Sequence, residues 1–274
     1  MVATPIGNLQ DITLRALEVL KAVDVVAAED TRHSAHLLTH FGIKVKLVAL
    51  HEHNERRAGE GLLALLQQGK SVALVSDAGT PGISDPGVVL VDMARQAGLR
   101  VVPLPGACAA AAALSAAGLE APHFLFYGFL PASGAQRRRE LEALREQAAT
   151  LLFYEAPHRV LDSVADMAAT FGGERMLVIA RELTKTFETF HRCALHEAQA
   201  WLAADANRQR GEFVLLVQGA PEAPQQAVSV EDARVLRLLL DELPLKQAVA
   251  LCASISGAKK NALYQHALSL KSES

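Results

Sequence analysis

The chain has 274 residues, half of them hydrophobic, and a formal net charge of −3. That length exceeds the usual single domain, so more than one compact unit is expected. The mild acidity excludes a protein that coats nucleic acid non-specifically.

No apolar stretch approaches the roughly 20 residues of a membrane span, and no basic-then-apolar leader opens the sequence. Cys108, Cys193 and Cys252 are far apart and form no CxxC pair. A cytoplasmic protein with inert thiols and no membrane partner is expected.

Early in the chain, apolar runs of strand length alternate with stretches of helical spacing. The runs are an opening strand before Thr4, then 25–28, 45–50, 71–76 and 100–104. The helical stretches are 14–22, 55–68 and 86–96. Such alternation implies a mostly parallel sheet covered on both faces. The alanine-rich stretch 107–117 follows Pro105-Gly106 and reads as a buried helix opening at a tight turn.

After Gly118 the pattern changes. Runs at 123–129, 150–155, 176–182, 187–193 and 212–218 are richer in aromatic and β-branched residues. Helical stretches at 136–146, 160–171 and 196–203 separate them. A second α/β unit with more antiparallel character is predicted. A linker with Pro and Gln covers 219–227, and three short helices are predicted at 230–242, 245–254 and 258–268, with Pro244 opening the middle one. The fold expectation is therefore α/β, with a parallel domain over 1–118, a mixed α/β domain over 119–220 and a helical tail over 228–274.

Three loops at strand ends of the first unit are dense in proline and glycine: TPIGNL at 4–9, SDAGTPGISDPG at 76–87 and PLPGA at 103–107. In a parallel sheet they gather at the carboxyl edge, where ligands bind. Glycine lets backbone approach a ligand and proline fixes the loop shape in advance. The glycines at 79, 82 and 87 make neither GxGxxG nor a GxxxxGK[ST] loop, so a dinucleotide dehydrogenase and a P-loop nucleotidase are disfavoured.

VATPIGNL, AAEDTRH, HEHNE, SDAGTPGISDPG, PLPGA, GFLP, FYEAPHR, ARELTK, RGEFVLLV and SGAKKNALY occur in that order. Together they resemble the tetrapyrrole-methylase superfamily, and within it the bacterial methyltransferases of a cytidine 2′-hydroxyl in small-subunit ribosomal RNA. Family members usually carry extra residues ahead of VATPIGNL that lengthen the first strand, whereas this sequence starts within that strand.

The resemblance implies a cleft between two α/β domains that holds S-adenosylmethionine in a bent shape, usually in a homodimer. Carried onto this chain, Pro5 and Ile6 border the cofactor, and Asp77, Ala78, Gly79 and Thr80 contact its sugar and methionine portions. Ala107 and Cys108 line the opposite wall, while Tyr154, Ala180 and Phe213 meet the adenine. A sulfonium methyl has an excellent leaving group, so no metal is required; alignment and water exclusion are the main tasks. A ribose hydroxyl is a poor nucleophile, so a base or a cation for the alkoxide should help.

Asp30, Arg32 and Lys185 are the expected catalytic residues, with helix capping the alternative for Asp30. The base itself is not named by sequence. His53 and Arg159, with Lys259 and Lys260 in a tail resembling a helix-turn-helix, are expected to contact RNA. The ribosomal RNA is expected as partner, within the assembled subunit. His33, His36 and His40 near one helix face, and the HxH at 51–53, would need converging ligands and a second shell to bind a metal, and no metal site is expected. Two rival readings are a porphyrin or corrin precursor C-methyltransferase, which needs an apolar slot and no phosphate grip, and a non-catalytic ribosome-assembly factor.

Overall fold

The computed structural model describes residues 1–120, 122–221 and 228–272. Two compact units are separated at 220/221. The first unit contains two sheets. Strands β1 (Val25–Ala28), β2 (Lys46–Ala49) and β3 (Val72–Val75) are all parallel, in the order β2-β1-β3.

Helices α1 (Leu14–Ala22) and α2 (Thr31–His40) cover one face, where Leu20 and Leu38 meet Val26, Ala28 and Val75. Helices α3 (Glu55–Gln67) and α4 (Val88–Gln96) cover the other, where Leu62 and Leu90 meet Val25, Ala27 and Leu74. Alternate side chains of each strand thus enter separate cores, the period-two consequence of the pleat.

Helix α5 (Ala109–Ala116) leads to the second sheet. Its strands are β4 (Phe124–Phe129), β5 (Thr150–Glu155), β6 (Met176–Arg181), β7 (Thr189–Ala194) and β8 (Phe213–Val217), in the order β4-β5-β8-β6-β7. Only β4 and β5 are parallel; the other pairs are antiparallel. Helices α6 (Gly134–Ala143), α7 (Val160–Phe171) and α8 (Leu195–Ala203) bury Leu141, Met167 and Leu202 against Leu151, Phe153, Ile179 and Leu215. Ala110 and Ala113 of α5 lie on the opposite face with Leu152, Val178 and Leu216. Full burial of one such large side chain contributes about 1.5–3 kcal/mol.

The expected parallel and mixed sheets are both present. The strands expected before Thr4 and over 100–104 are not; a single bridge, Val2 to Leu104, stands in their place. Pro103 and Pro105 flank Leu104 and Pro5 follows Thr4, so the donors that would extend a ladder are missing.

In the second unit, α9 (Val230–Glu242), α10 (Leu245–Ser256) and α11 (Lys260–Ser272) enclose Leu236, Val249, Cys252 and Leu263. Ser229 caps α9 by accepting from the Asp232 amide at 2.9 Å. Pro244 stands at the N-cap of α10, one residue before its expected place, and Gly257 closes that helix with a left-handed φ of 73°.

Candidate functional site

The three proline- and glycine-rich loops meet. Thr4 and Gly79 exchange backbone hydrogen bonds of 2.8 and 3.0 Å, and the Thr4 hydroxyl donates to the Ser76 carbonyl at 3.1 Å. Gly106 lies so close to Ala3 that an added Cβ would come within 2.7 Å of the Ala3 methyl. Gly79 has φ of 82°, and a Cβ there would stand 3.4 Å from Ile6 and 3.6 Å from the Ala107 oxygen. The chain needs glycine at both points, one for closeness and one for conformation.

Beside these loops opens a cleft of about 370 Å³, within the size range of small-molecule pockets. Of the residues expected at a cofactor, Ile6, Ala78, Gly79, Thr80, Cys108, Tyr154 and Phe213 line it. Pro5, Asp77, Ala107 and Ala180 do not, yet each backs the lining. Pro5 is buried between Thr4 and Ile6. Asp77 Oδ1 accepts from the Asp30 amide at 3.0 Å, joining the loops after β1 and β3. Ala107 accepts from Thr80, and Ala180 is fully buried opposite Val214.

The second sheet supplies the other wall. Tyr154, next to last in β5, lies among Phe126 and Phe129, with ring centroids 4.9 and 5.6 Å away, and its hydroxyl accepts from the Ala110 amide at 3.2 Å. Burial pushes that phenol up to about 12. The loop after β6 is bent at two non-glycine residues of positive φ, Glu182 (52°) and Thr184 (64°). It packs on the first loop, for Thr184 Oγ1 accepts from the Asn8 amide at 3.1 Å. A Cβ on Gly7 would fall 2.5 Å from Lys185 Cγ. Strain of this kind persists where surrounding structure imposes it.

Asp30, Arg32 and Lys185 are not among the cleft-lining residues. Asp30 is the N-cap of α2, accepting from the Arg32 amide at 2.8 Å. The Arg32 guanidinium folds back on the same carboxylate at 2.7 Å and holds it well below the usual carboxylate range. Lys185 Nζ donates to Glu182 and Glu212, each at 2.8 Å. Burial lowers the Lys185 ammonium, but those two carboxylates outweigh it and the net direction is up. Glu212 itself lines the cleft, so Lys185 reaches the site through it.

Arg159 turns inward, bonded to the Leu130 carbonyl and ion-paired with Glu155 at 3.1 Å. His53 is exposed in the turn before α3, and Lys259 and Lys260 are exposed where α11 begins.

Several residues absent from the sequence-derived set, Ile83, Leu183, Glu212 and Val214 among them, also line the cleft, and one titratable group stands out there. Asp85 lines it, half-buried, and burial together with the nearby Glu29 and Asp77 carboxylates pushes its acid up to about 6, against a smaller opposing hydrogen bond with Ser76. Its position inside SDAGTPGISDPG was visible; its environment, made by groups distant in sequence, was not.

A doubly wound parallel sheet joined to a mixed five-stranded sheet, with a cleft beside three stapled loops, defines an α/β methyltransferase of the tetrapyrrole-methylase type. The chain belongs to the Tetrapyrrole (Corrin/Porphyrin) Methylases, whose family model matches residues 1–199, and it is a methyltransferase that uses S-adenosylmethionine. Residues 226–271 match the RsmI C-terminal HTH domain.

The chain is 58% identical over 276 aligned residues to the Ribosomal RNA small subunit methyltransferase I of Pseudomonas aeruginosa, covering 100% of this chain and 98% of that one. It is 57% identical to the protein of the same name in Escherichia coli O157:H7 (98% and 93% covered). Among solved structures, diphthine synthase superposes with a TM-score of 0.62 at 17% identity over 80% of this chain and 88% of that one. The methyltransferase CobJ does so with 0.60 at 18% over 80% and 92%. At those identities the likeness is one of fold.

The cleft fits the cofactor's chemistry. Ile6, Leu183, Phe213 and Val214 offer apolar walls to a purine, and Glu212 offers a carboxylate to a cationic ligand. The glycine at 79 keeps open a corner that a Cβ would fill.

Proposed function

We propose that this chain methylates the 2′-oxygen of a cytidine ribose in small-subunit ribosomal RNA, acting on the assembled subunit in the cytoplasm as a homodimer. The observation that carries the reading is the whole-length similarity to relatives bearing the ribosomal RNA methyltransferase name. The helical unit matching the HTH description adds support, since helix-turn-helix units are built to meet nucleic acid. The porphyrin alternative rests on the family description and on a fold likeness to a uroporphyrin-III-C-methyltransferase at 23% identity, against more than 50% identity to the ribosomal RNA methyltransferases. Exposed Phe124 and Phe129 on the edge strand β4, and Phe187 at 71% exposure, supply apolar surface that a second copy would cover.

In this reading S-adenosylmethionine supplies an activated methyl group that needs no metal for its transfer. Ile6, Ala78, Gly79 and Thr80 hold it from one wall, Cys108, Tyr154 and Phe213 from the other, and Pro5, Asp77, Ala107 and Ala180 keep those walls in place. Stapled loops fix the reacting geometry in advance, which lowers the entropic part of the barrier. The Arg32 guanidinium is 88% exposed and anchored on Asp30, which supports a role in meeting an RNA phosphate in a forked geometry. Lys185 fixes Glu212 at the cleft edge. His53, Arg159, Lys259 and Lys260 complete the proposed RNA contacts.

The test is methyl transfer from labelled cofactor to purified small subunits and to naked ribosomal RNA, followed by digestion to nucleosides. Label in 2′-O-methylcytidine from subunits is expected. Label on a base, or none on RNA in either form, overturns the reading.

A further inference from the structure

The cleft-lining groups that titrate are Asp85, Cys108, Tyr154, Glu155 and Glu212. Four are already engaged. Glu155 is 2% exposed, and its oxygens take the Ala156 amide, the Ser163 hydroxyl and the Arg159 guanidinium. Glu212 is bound to Lys185 at 2.8 Å. Tyr154 holds the Ala110 amide, and Cys108 shares a hydrogen bond with the same phenol.

Asp85 differs. Among the described residues no cation pairs with it; the groups facing it are the Glu29 and Asp77 carboxylates, the Tyr154 phenol and the Ser76 hydroxyl. The backbone that presents it is strained. Ser84, just before it, has φ of 62°, and Gly128 in the β4 bulge leaves room for that conformation, since a Cβ there would lie 3.0 Å from Ser84 Oγ. A β-bulge and an adverse serine φ converge on one carboxylate beside the cofactor cleft.

The geometry assigns Asp85 as the general base that accepts the substrate hydroxyl proton during methyl transfer, an assignment resting on the proposed ribose methylation. As the ribose oxygen forms its bond to the methyl carbon, the carbon–sulfur bond breaks and its electron pair stays on sulfur, leaving a neutral thioether. The hydroxyl proton passes to an Asp85 carboxylate oxygen, and the resulting acid returns it to solvent. A positive and a negative charge vanish together, which a poorly solvated cleft favours. The raised basicity given by burial and by Glu29 and Asp77 suits a base working near neutrality.

The experiment uses the full-length protein and small ribosomal subunits at saturating cofactor. Single-turnover rates are followed from about pH 5 to about pH 9, with calorimetric cofactor binding for each variant. Wild type is expected to show an acid limb near about pH 6; Asp85→Asn is expected to abolish it, to lower the rate about 10²- to 10⁴-fold and to leave cofactor affinity within about threefold. Asp85→Ala should recover part of its rate when formate is added. A rate for Asp85→Asn within about fivefold of wild type overturns the assignment, as does an acid limb that survives the substitution. So does an affinity loss of about tenfold with the saturated rate unchanged, which would make Asp85 a cofactor-holding residue. Wild type that modifies no ribose overturns the functional reading itself, whereas active wild type beside equally active Asp85→Asn overturns only the base.

Discussion

Thr80 donates its hydroxyl to the carbonyl oxygen of Ala107 at 2.9 Å, across 27 residues of sequence. This bond ties the loop after β3 to the turn before α5, two of the corners that shape the cleft. Thr80→Val keeps the shape and removes the donor, leaving a part-buried carbonyl unpaired at a cost of about 1 kcal/mol. The melting temperature is expected to fall by about 2–4 °C, and cofactor affinity by up to about fivefold where the loosened corner no longer holds its shape. Calorimetry alongside a thermal melt checks it; unchanged affinity would show that the bond does not shape the site.

Glu155 and Arg159 are a hub of the second sheet. The side chain of Glu155 is inaccessible to solvent and that of Arg159 is 17% exposed. Glu155→Leu strands the guanidinium without its anion, and breaking such a pair typically costs about 3–5 kcal/mol. The double variant Glu155→Leu/Arg159→Met removes both charges and is expected to recover a large part of that loss. Urea unfolding of the two variants measures the difference. A double variant no more stable than the single one would deny that the buried charge is the cause.

Much of the second sheet is legible because β5, β6 and β8 bury alternate residues on both faces and so read as unbroken apolar runs. Where proline interrupts, at Pro103 and Pro105, the apolar run 100–104 misleads, since hydrophobicity is present but donors are not. Helix α2 is hard to see for the opposite reason: only Ser34 and Leu38 of its ten residues are buried, too thin a stripe to show a period.

Charge is the least legible property. Arg137 stands in a run of three arginines, Arg137-Arg138-Arg139, a pattern usual on a solvated helix face, yet it is 5% exposed and clamped on Asp166 of α7 at 2.7 Å. The cleft corners are legible because glycine and proline betray backbone geometry locally. The state of Asp85 depends on Glu29 and Asp77, which only the fold brings near.

Lys259 and Lys260 stand exposed where α11 begins. If they meet RNA phosphates, each contributes released counterions to binding. Lys259→Ala/Lys260→Ala is expected to reduce the slope of log affinity against log salt by about 2 and to weaken binding to all sequences alike. Cofactor affinity should stay as in wild type. Filter binding to small-subunit RNA over a salt series reads both quantities, and an unaltered slope would place the RNA grip elsewhere.

Asp85 makes a stability prediction independent of catalysis. Its acid is raised to about 6 in the folded protein by burial and neighbouring carboxylates, above the ordinary value of 3.8. The folded state therefore binds the proton more tightly than the unfolded chain. The group's favourable contribution is full below the unfolded value and is lost as pH rises through about 6. At neutral pH the ionised carboxylate is held in poorly solvating surroundings near like charges. Asp85→Asn removes that charge while keeping the shape, so its melting temperature should exceed wild type's above about pH 7 and match it near about pH 4. Scanning calorimetry at the two pH values decides. A gain of equal size at both would mean that charge burial is not the cause, whereas a gain confined to neutral pH marks a residue whose ionised form costs stability, as functional groups often do.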